Sequence, residues 1–289
     1  MPLQKLQLKP GVDRENTRYA AEGSWYETNK VRFRRGMPQK IGGWVRLSNA
    51  TFLGVCRSMW NWITLGGQNL VAVGTNLKYY IERGGAYFDI TPIRSTVVLT
   101  DPFDTTLGSA VVLVTDVAHG AVNGDFVTFS GATAVGGLTL NNEYQLNLID
   151  SDSYTITAIT TASSTANGGG TVTAAYQVNI GSEIAVPFTG WSAGFWGVGS
   201  WGIGSITDAG MRLWSQANFG EDLVFAYRGG ELFYWDATNA VTTRAVYVSS
   251  LAGASDVPVI VNRAFVSDIY RFAFCFGAND LGTSVLDPM

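Results

Sequence analysis

The chain of 289 residues has little of the side-chain chemistry that most enzymes use. It contains one histidine and two cysteines, and only 15% of its residues are charged. The cysteines, Cys56 and Cys275, lie far apart and match no metal-binding or redox spacing. We interpret both as free thiols, which indicates synthesis in a reducing compartment.

Proline and long apolar runs are scarce as well. Eight prolines stand against 34 glycines, and no window of about 18 apolar residues is present, so we expect no membrane helix. The N-terminus lacks the apolar core of a signal peptide, so we expect none. Abundant glycine with low charge is typical of short strands joined by tight turns.

The charges that are present are unevenly distributed. Residues 1–50 hold ten Lys/Arg and four Asp/Glu, a balance of +6, whereas residues 51–289 hold nine and nineteen, a balance of −10. An acidic chain is a poor non-specific ligand for nucleic acid, because binding to phosphate requires accumulated cations. The basic first segment either faces an acidic partner or is a solvated strand edge.

Alternation of apolar and polar residues predicts an all-β fold. It recurs with a period of two, for example in residues 31–34, 125–129 and 232–235, and glycine-containing turns separate the segments. Helical periodicity is scarce. We therefore expect many short strands, each with one face buried.

A faint internal repeat predicts propeller-like blades. Residues 59–88 and 211–236 share tryptophan, turns and apolar strands in the same order, and residues 261–276 are a weaker third copy. Each unit is predicted to be a meander of three or four strands, and such units around an axis form a β-propeller. Because the period is irregular, the propeller is incomplete or a β-sandwich replaces it.

The composition changes between the repeats. Residues 94–178 are rich in Ser, Thr, Val, Ala and Gly and contain seven acidic residues and one basic residue. We interpret this stretch as a small β-barrel or sandwich inserted into the larger β domain. The predicted organisation is residues 1–93 (N-terminal segment and first blades), 94–178 (inserted domain) and 179–289 (further blades).

Candidate chemistry is sparse, and each candidate has a structural explanation. His119 with Asp125 would form a general base, but a turn histidine bonded to the backbone is favoured. Residues 197–202 match GxGxxG without the helix that a dinucleotide site needs. The sequence Asp150-Ser-Asp152 lacks the closing Glu of a calcium loop. We predict no catalytic, cofactor-binding or metal-binding residue, no cofactor, and no enzymatic activity.

Two groups of residues are predicted to form interfaces. Trp191, Trp196 and Trp201 alternate with glycine without any charge, which favours contact within or between subunits, although filling of a propeller core is equally compatible.

The second group is Arg32, Arg34 and Arg35, with Lys40 nearby. Arg32 and Arg34 share a strand face opposite Val31 and Phe33, where they either contact an anionic partner or are solvated.

Two segments resemble a known family. Two stretches resemble structural proteins of tailed bacteriophages. The first is residues 10–44, with Pro10-Gly11, Gly23-Ser-Trp25 and the Val31-Arg-Phe-Arg-Arg-Gly36 run. The second is residues 190–223, which contain Arg212-Leu-Trp214 and end in Asn218-Phe-Gly-Glu-Asp-Leu223. The likeness is greatest to the nozzle (tail tubular protein B) type of short-tailed phages. Residues 118–130 are similar to a small β domain of phage tail proteins.

The resemblance implies a β-propeller-based subunit that forms a ring, commonly a hexamer, around the DNA-exit channel. It would dock on the adaptor (head–tail connector), carry tail fibres or other distal parts and contact passing genomic DNA transiently. The protein would reside in the virion tail after assembly in the host cytoplasm, without membrane insertion. Family members are usually longer, so we expect a second polypeptide or further residues to complete the fold.

Two other functions remain open from the sequence. A tail-tip module that binds cell-surface carbohydrate would stack sugar rings on exposed tryptophans. A hydrolase on a propeller scaffold is disfavoured by the single histidine and the absence of a clustered carboxylate pair.

Overall fold

The computed structural model describes residues 8–43, 45–46, 48–184, 210–267 and 269–283. In this part of the chain the regular structure consists of β-strands and one short 3-10 helix, Val248–Ser250. The chain divides into two compact units, Met1–Asn49 and Ala50–Met289. The predicted all-β fold class is confirmed.

The first unit contains one β-hairpin, formed by β1 (Val31–Arg34) and β2 (Met37–Lys40). Its two-residue turn is Arg35-Gly36, with φ of 52° and 78°. Both values lie in the left-handed region that a tight hairpin turn requires, which glycine adopts without strain. None of the described residues of this unit is buried.

The second unit contains three sheets that follow the predicted repeat. Sheet I is the meander β3 (Cys56–Ile63), β4 (Asn69–Thr75), β5 (Tyr79–Arg83) and β6 (Ala86–Asp89). Sheet II is the meander β16 (Trp214–Phe219), β17 (Asp222–Tyr227), β18 (Leu232–Trp235) and β19 (Val246–Tyr247). Sheet III is the hairpin β20 (Arg263–Val266) and β21 (Ala273–Phe276).

Sheet II is covered on both of its faces. Leu223 and Phe225 of β17 share a core with sheet I, whereas the intervening Val224 and Ala226 share a core with sheet III. The first strands β3, β16 and β20 lie side by side. In a propeller, each sheet packs between two neighbouring sheets, and the first strands lie next to one another around the axis. In a two-layer sandwich, each sheet packs against one other sheet and buries only one face. Sheets I to III therefore form an open, propeller-like stack.

Ring contacts and tryptophan hydrogen bonds hold sheet I against sheet II. Tyr79 stacks on Phe225 with ring centroids 4.0 Å apart. The indole of Trp62 donates to the Glu221 carbonyl at 2.9 Å, and that of Trp214 donates to the Thr75 carbonyl at 2.7 Å. The buried indole N–H groups are thus satisfied, which fixes the register of the two sheets.

Between sheets I and II in sequence lies a β-sandwich of nine strands. These are β7 (Ile93–Thr100), β8 (Phe103–Thr105), β9 (Val111–Thr115), β10 (Phe126–Ser130), β11 (Glu143–Gln145), β12 (Asn147–Leu148), β13 (Ser153–Thr157), β14 (Ala166–Gly168) and β15 (Thr171–Gln177). One sheet has the order β11-β10-β15-β7, the other β12-β13-β9-β8-β14.

The two layers enclose their own apolar core, which includes Phe103, Phe129 and Tyr154. The described strands of the insert thus form a sandwich and not a closed barrel. The predicted boundaries at residues 93/94 and 178/179 remain a prediction.

Candidate assembly surfaces

The β1–β2 hairpin presents a cationic face. Arg32 and Arg34 are exposed on it together with Met37, which is the cross-strand partner of Arg34. Val31 and Phe33 point to the other face and are half-buried, so the face predicted from the alternation is correct. Arg35 occupies the turn.

Lys40 lies near the arginines in sequence but on the other face of the hairpin. It pairs across the hairpin with Val31, which places it on the face opposite Arg32 and Arg34. Because directly paired residues share a face, the two-residue turn decides this position. The cationic surface is thus formed by the arginines, and Lys40 lies behind it.

The hairpin arginines have no counter-ion within the described residues. Arg14 of the same unit pairs with Glu27 at 3.3 Å, whereas no described carboxylate lies within 4.0 Å of Arg32, Arg34 or Arg35. Exposed unpaired guanidinium groups are available to carboxylates or phosphates of a partner.

The tryptophans predicted to form an interface, Trp191, Trp196 and Trp201, lie outside the described residues. Their role remains a prediction.

Sequence reasoning missed an aromatic face on sheet III. Phe265 stacks on Phe274 and on Phe276, with centroid distances of 5.0 and 5.5 Å and nearly parallel rings. Tyr270 and Phe272, just before β21, lie with ring centroids 6.3 Å apart, and all five aromatic residues are exposed. The signal was present in the sequence as phenylalanine at every second position from 272 to 276.

His119 is held by the backbone and not poised for proton transfer. Its Nδ1 accepts a hydrogen bond from the Ala121 amide at 3.0 Å, so the ring proton is on Nε2. The Nε2 atom lies 3.2 Å from the Asp150 carbonyl oxygen and donates to it. Asp125 instead accepts from the amides of Val122 and Ile180, and burial raises the pKa of its carboxyl group. The two side chains therefore form no acid–base pair.

The Asp150 segment is a turn. One oxygen of Asp150 accepts from the Asp152 amide and from the Ser153 hydroxyl, both at 2.9 Å, and these bonds lower the pKa of Asp150. No three His, Cys, Asp or Glu side chains come close enough to hold a metal in the part of the chain that the structure describes.

An ion network around the buried Lys78 joins three parts of the second unit. Lys78 precedes β5 and pairs with Asp89 of β6 at 2.7 Å and with Glu143 of β11 in the sandwich. Arg244, before β19, reaches the same two carboxylates at 3.3 and 3.1 Å. The network fixes the sandwich against sheets I and II, so its role is structural.

Arg212 and Trp214 of the phage-like motif are also structural. The Arg212 guanidinium lies 3.9 Å from the Tyr227 ring and donates to the Asn179 carbonyl at 2.5 Å. Burial lowers its pKa, and the neighbouring Tyr227 and Asp125 oppose this shift. The motif therefore ties the segment that leaves the sandwich to the first strand of sheet II.

Comparison with protein-family models finds no matching family, and comparison with curated proteins finds no matching sequence. Among solved structures, the chain is similar to Phage phi92 endosialidase at 15% identity with a TM-score of 0.26. The match covers 74% of this chain and 32% of that structure, so the chain spans about a third of its length. A similarity this low supports no argument about function. Among the described residues, none form a helix long and apolar enough to cross a membrane.

Proposed function

We propose that the protein is a structural component of a tailed-phage virion, a nozzle or tail-hub subunit that forms a ring around the DNA-exit channel. The sequence segments at residues 10–44 and 190–223 support this role, as they resemble that family. The structural observation that carries the proposal is a hairpin with unpaired arginines in a unit whose described residues include no buried side chain.

The described residues of this unit include no buried side chain, so they contribute little hydrophobic stabilisation of their own. Fixing each residue costs about 1–2 kcal/mol of conformational entropy, and a lone two-stranded hairpin is at best marginally stable in water. We therefore infer that the hairpin gains stability from contacts with a partner. Its Arg32 and Arg34 make an acidic protein surface the natural partner.

The negative charge of residues 51–289 is compatible with a protein that lines a DNA channel. Residues 51–289 carry a balance of −10, and an acidic wall does not retain DNA phosphates as the DNA passes. The proposed partners are further copies in a ring, commonly six, the adaptor, and tail fibres or other distal tail proteins. The role requires no catalysis.

Charge reversal on the hairpin tests the proposal. We expect Arg32→Glu with Arg34→Glu to reduce assembly with isolated neighbouring tail proteins at least tenfold, a loss of about 1.4 kcal/mol. Arginine is enriched among the residues that dominate interface binding, and the reversed charges would repel an acidic partner. Native mass spectrometry and electron microscopy of the assembled particle measure the effect.

Lys40→Glu is the matched control, since it reverses the same charge on the opposite face of the hairpin. It should change assembly less than about twofold. Purified virions that lack the protein, or a chain that never forms a ring with its neighbours, would contradict the proposed function.

A further inference from the structure

The stack of sheets I to III ends on two faces that nothing described in the structure covers completely. We propose that the aromatic face of sheet III packs on the outer face of sheet I in a second copy of the chain. This contact deepens the proposed function and rests on it, since it supplies the contact between subunits of the ring.

The aromatic face is large enough to form most of an interface. Its rings are exposed to 41% at Phe265, 71% at Tyr270, 62% at Phe272, 43% at Phe274 and 53% at Phe276. With about 200 Å² for each aromatic side chain, the exposed rings amount to about 500 Å². A standard interface buries about 800 Å² on each partner, and the largest apolar patch of a monomer is about 300–600 Å².

The receiving face lies on the first strand of sheet I. Trp60 and Trp62 of β3 point towards sheet II, where they bond to Asn218 and to the Glu221 carbonyl. The alternate residues Met59 and Ile63 therefore point outward, and they are 68% and 66% exposed. Methionine adapts its shape to a partner, which suits a contact surface.

This face is partly covered within the chain, since Val73 of β4, the cross-strand partner of Met59, is only 3% exposed. Phe52 packs on Tyr80 and Tyr87, with ring centroids 6.0 and 5.0 Å apart. The side chains of Met59 and Ile63 on the first strand remain exposed. They lie on the face of β3 opposite the interface with sheet II, where a further sheet would extend the stack.

Continuity and charge both favour a second copy as the occupant. Sheets I, II and III already pack in series with their first strands adjacent, and sheet III of one copy on sheet I of the next repeats that step. Arg263 lies exposed beside Phe265 and Phe276 on the aromatic face, whereas the outer face of sheet I carries Glu82, opposite Val71. The contact is head-to-tail, since each copy uses two different faces.

Two variants, each with one face disabled, test this arrangement. Phe274→Thr with Phe276→Thr removes the aromatic face and keeps a residue that suits a strand. Met59→Lys with Ile63→Lys disables the receiving face and repels Arg263. We expect either variant alone to weaken self-association of the full chain at least about 100-fold. Mixed in equal amounts, the two should form a one-to-one pair that grows no further.

The control is Leu107→Thr with Ile159→Thr, which changes two exposed apolar residues of the sandwich and should leave assembly unchanged. Sedimentation velocity and native mass spectrometry measure the species. Self-association of the Met59/Ile63 variant alone, as from a symmetric contact between aromatic faces, would overturn the inference.

A wild-type chain that remains monomeric at micromolar concentration would also overturn it. In that case the presence of the chain in virions would decide separately whether the proposed function stands.

Discussion

Lys78 provides the strictest test of how the second unit is held together. Its side chain is only 3% exposed, its ammonium group pairs with Asp89 at 2.7 Å and with Glu143, and it lies 4.3 Å from the centre of the Phe126 ring. Lys78→Met keeps an unbranched apolar side chain but removes the charge. The variant therefore separates the electrostatic role of Lys78 from its packing.

The expected loss follows from the groups left behind. Breaking one side of a fully buried ion pair costs about 3–5 kcal/mol. Here Arg244 remains 3.3 and 3.1 Å from the two carboxylates, whose side chains are 21% and 30% exposed. Because a second cation and solvent both screen the carboxylates, we expect unfolding to become easier by about 2–3 kcal/mol at neutral pH.

The pH dependence identifies the cause of this loss. Burial raises the pKa of Asp89, but the charges of Arg244 and Lys78 outweigh it and hold the pKa below its ordinary value of 3.8. A lowered pKa in the folded state gives stability that is present above the ordinary value and lost as the pH falls through the folded one. The difference between wild type and Lys78→Met should thus be largest near neutral pH and shrink below about pH 4.

Urea unfolding followed by tryptophan fluorescence at the two pH values measures this difference. Arg83→Met is the matched control, since Arg83 is exposed at the end of β5 and the substitution removes the same charge; its effect should stay within about 0.5 kcal/mol. An equal loss at both pH values would refute the electrostatic explanation and assign the effect to packing.

Two further substitutions test the sandwich by the same unfolding measurement. Gly136→Ala would place a Cβ atom 2.8 Å from the Ser164 carbonyl oxygen at a φ of +55°, whereas the Cβ atom of Gly84→Ala, at a φ of +61°, would meet nothing within 4 Å. We expect the first substitution to cost at least about 1 kcal/mol more of unfolding free energy than the second. Equal losses would show that the positive φ alone determines the cost. Tyr176→Phe removes the hydroxyl group that donates a hydrogen bond to the buried Asp116. We expect the free energy of unfolding to fall by about 1–3 kcal/mol. An unchanged stability would mean that water replaces the hydroxyl group.

The local sequence pattern was sufficient to predict the strands and the shared face of Arg32 and Arg34 on the hairpin. Residues 31–34 and 232–235 alternate between turns, and both are strands with the expected bounds. The face shared by Arg32 and Arg34 follows from the period of two within one strand. The face on which Lys40 lies depends on the cross-strand register, so sequence spacing alone did not predict it.

Contacts between residues that are distant in sequence could not be predicted from local patterns. Lys78, Asp89, Glu143 and Arg244 are far apart in sequence, and nothing around Lys78 distinguishes a buried cation from a solvated turn residue. The phenylalanines at 272, 274 and 276 predict a strand, but only the packing order of the sheets shows that no described sheet covers their face. Whether a strand face is buried depends on which other element packs against it, and the sequence of the strand does not specify that element.

The number of copies in the particle follows from the rotation between them. Propellers close with roughly four to eight blades, and one chain supplies three sheets. If the contact between sheet III and sheet I repeated the rotation inside a chain, two copies with six described sheets of this kind would close around a narrow axis lined by first strands. A ring wide enough for DNA, such as the hexamer implied by the family resemblance, therefore requires a smaller rotation between copies than between sheets. The mass of the assembled particle thus distinguishes a propeller completed by copies from a ring of open stacks.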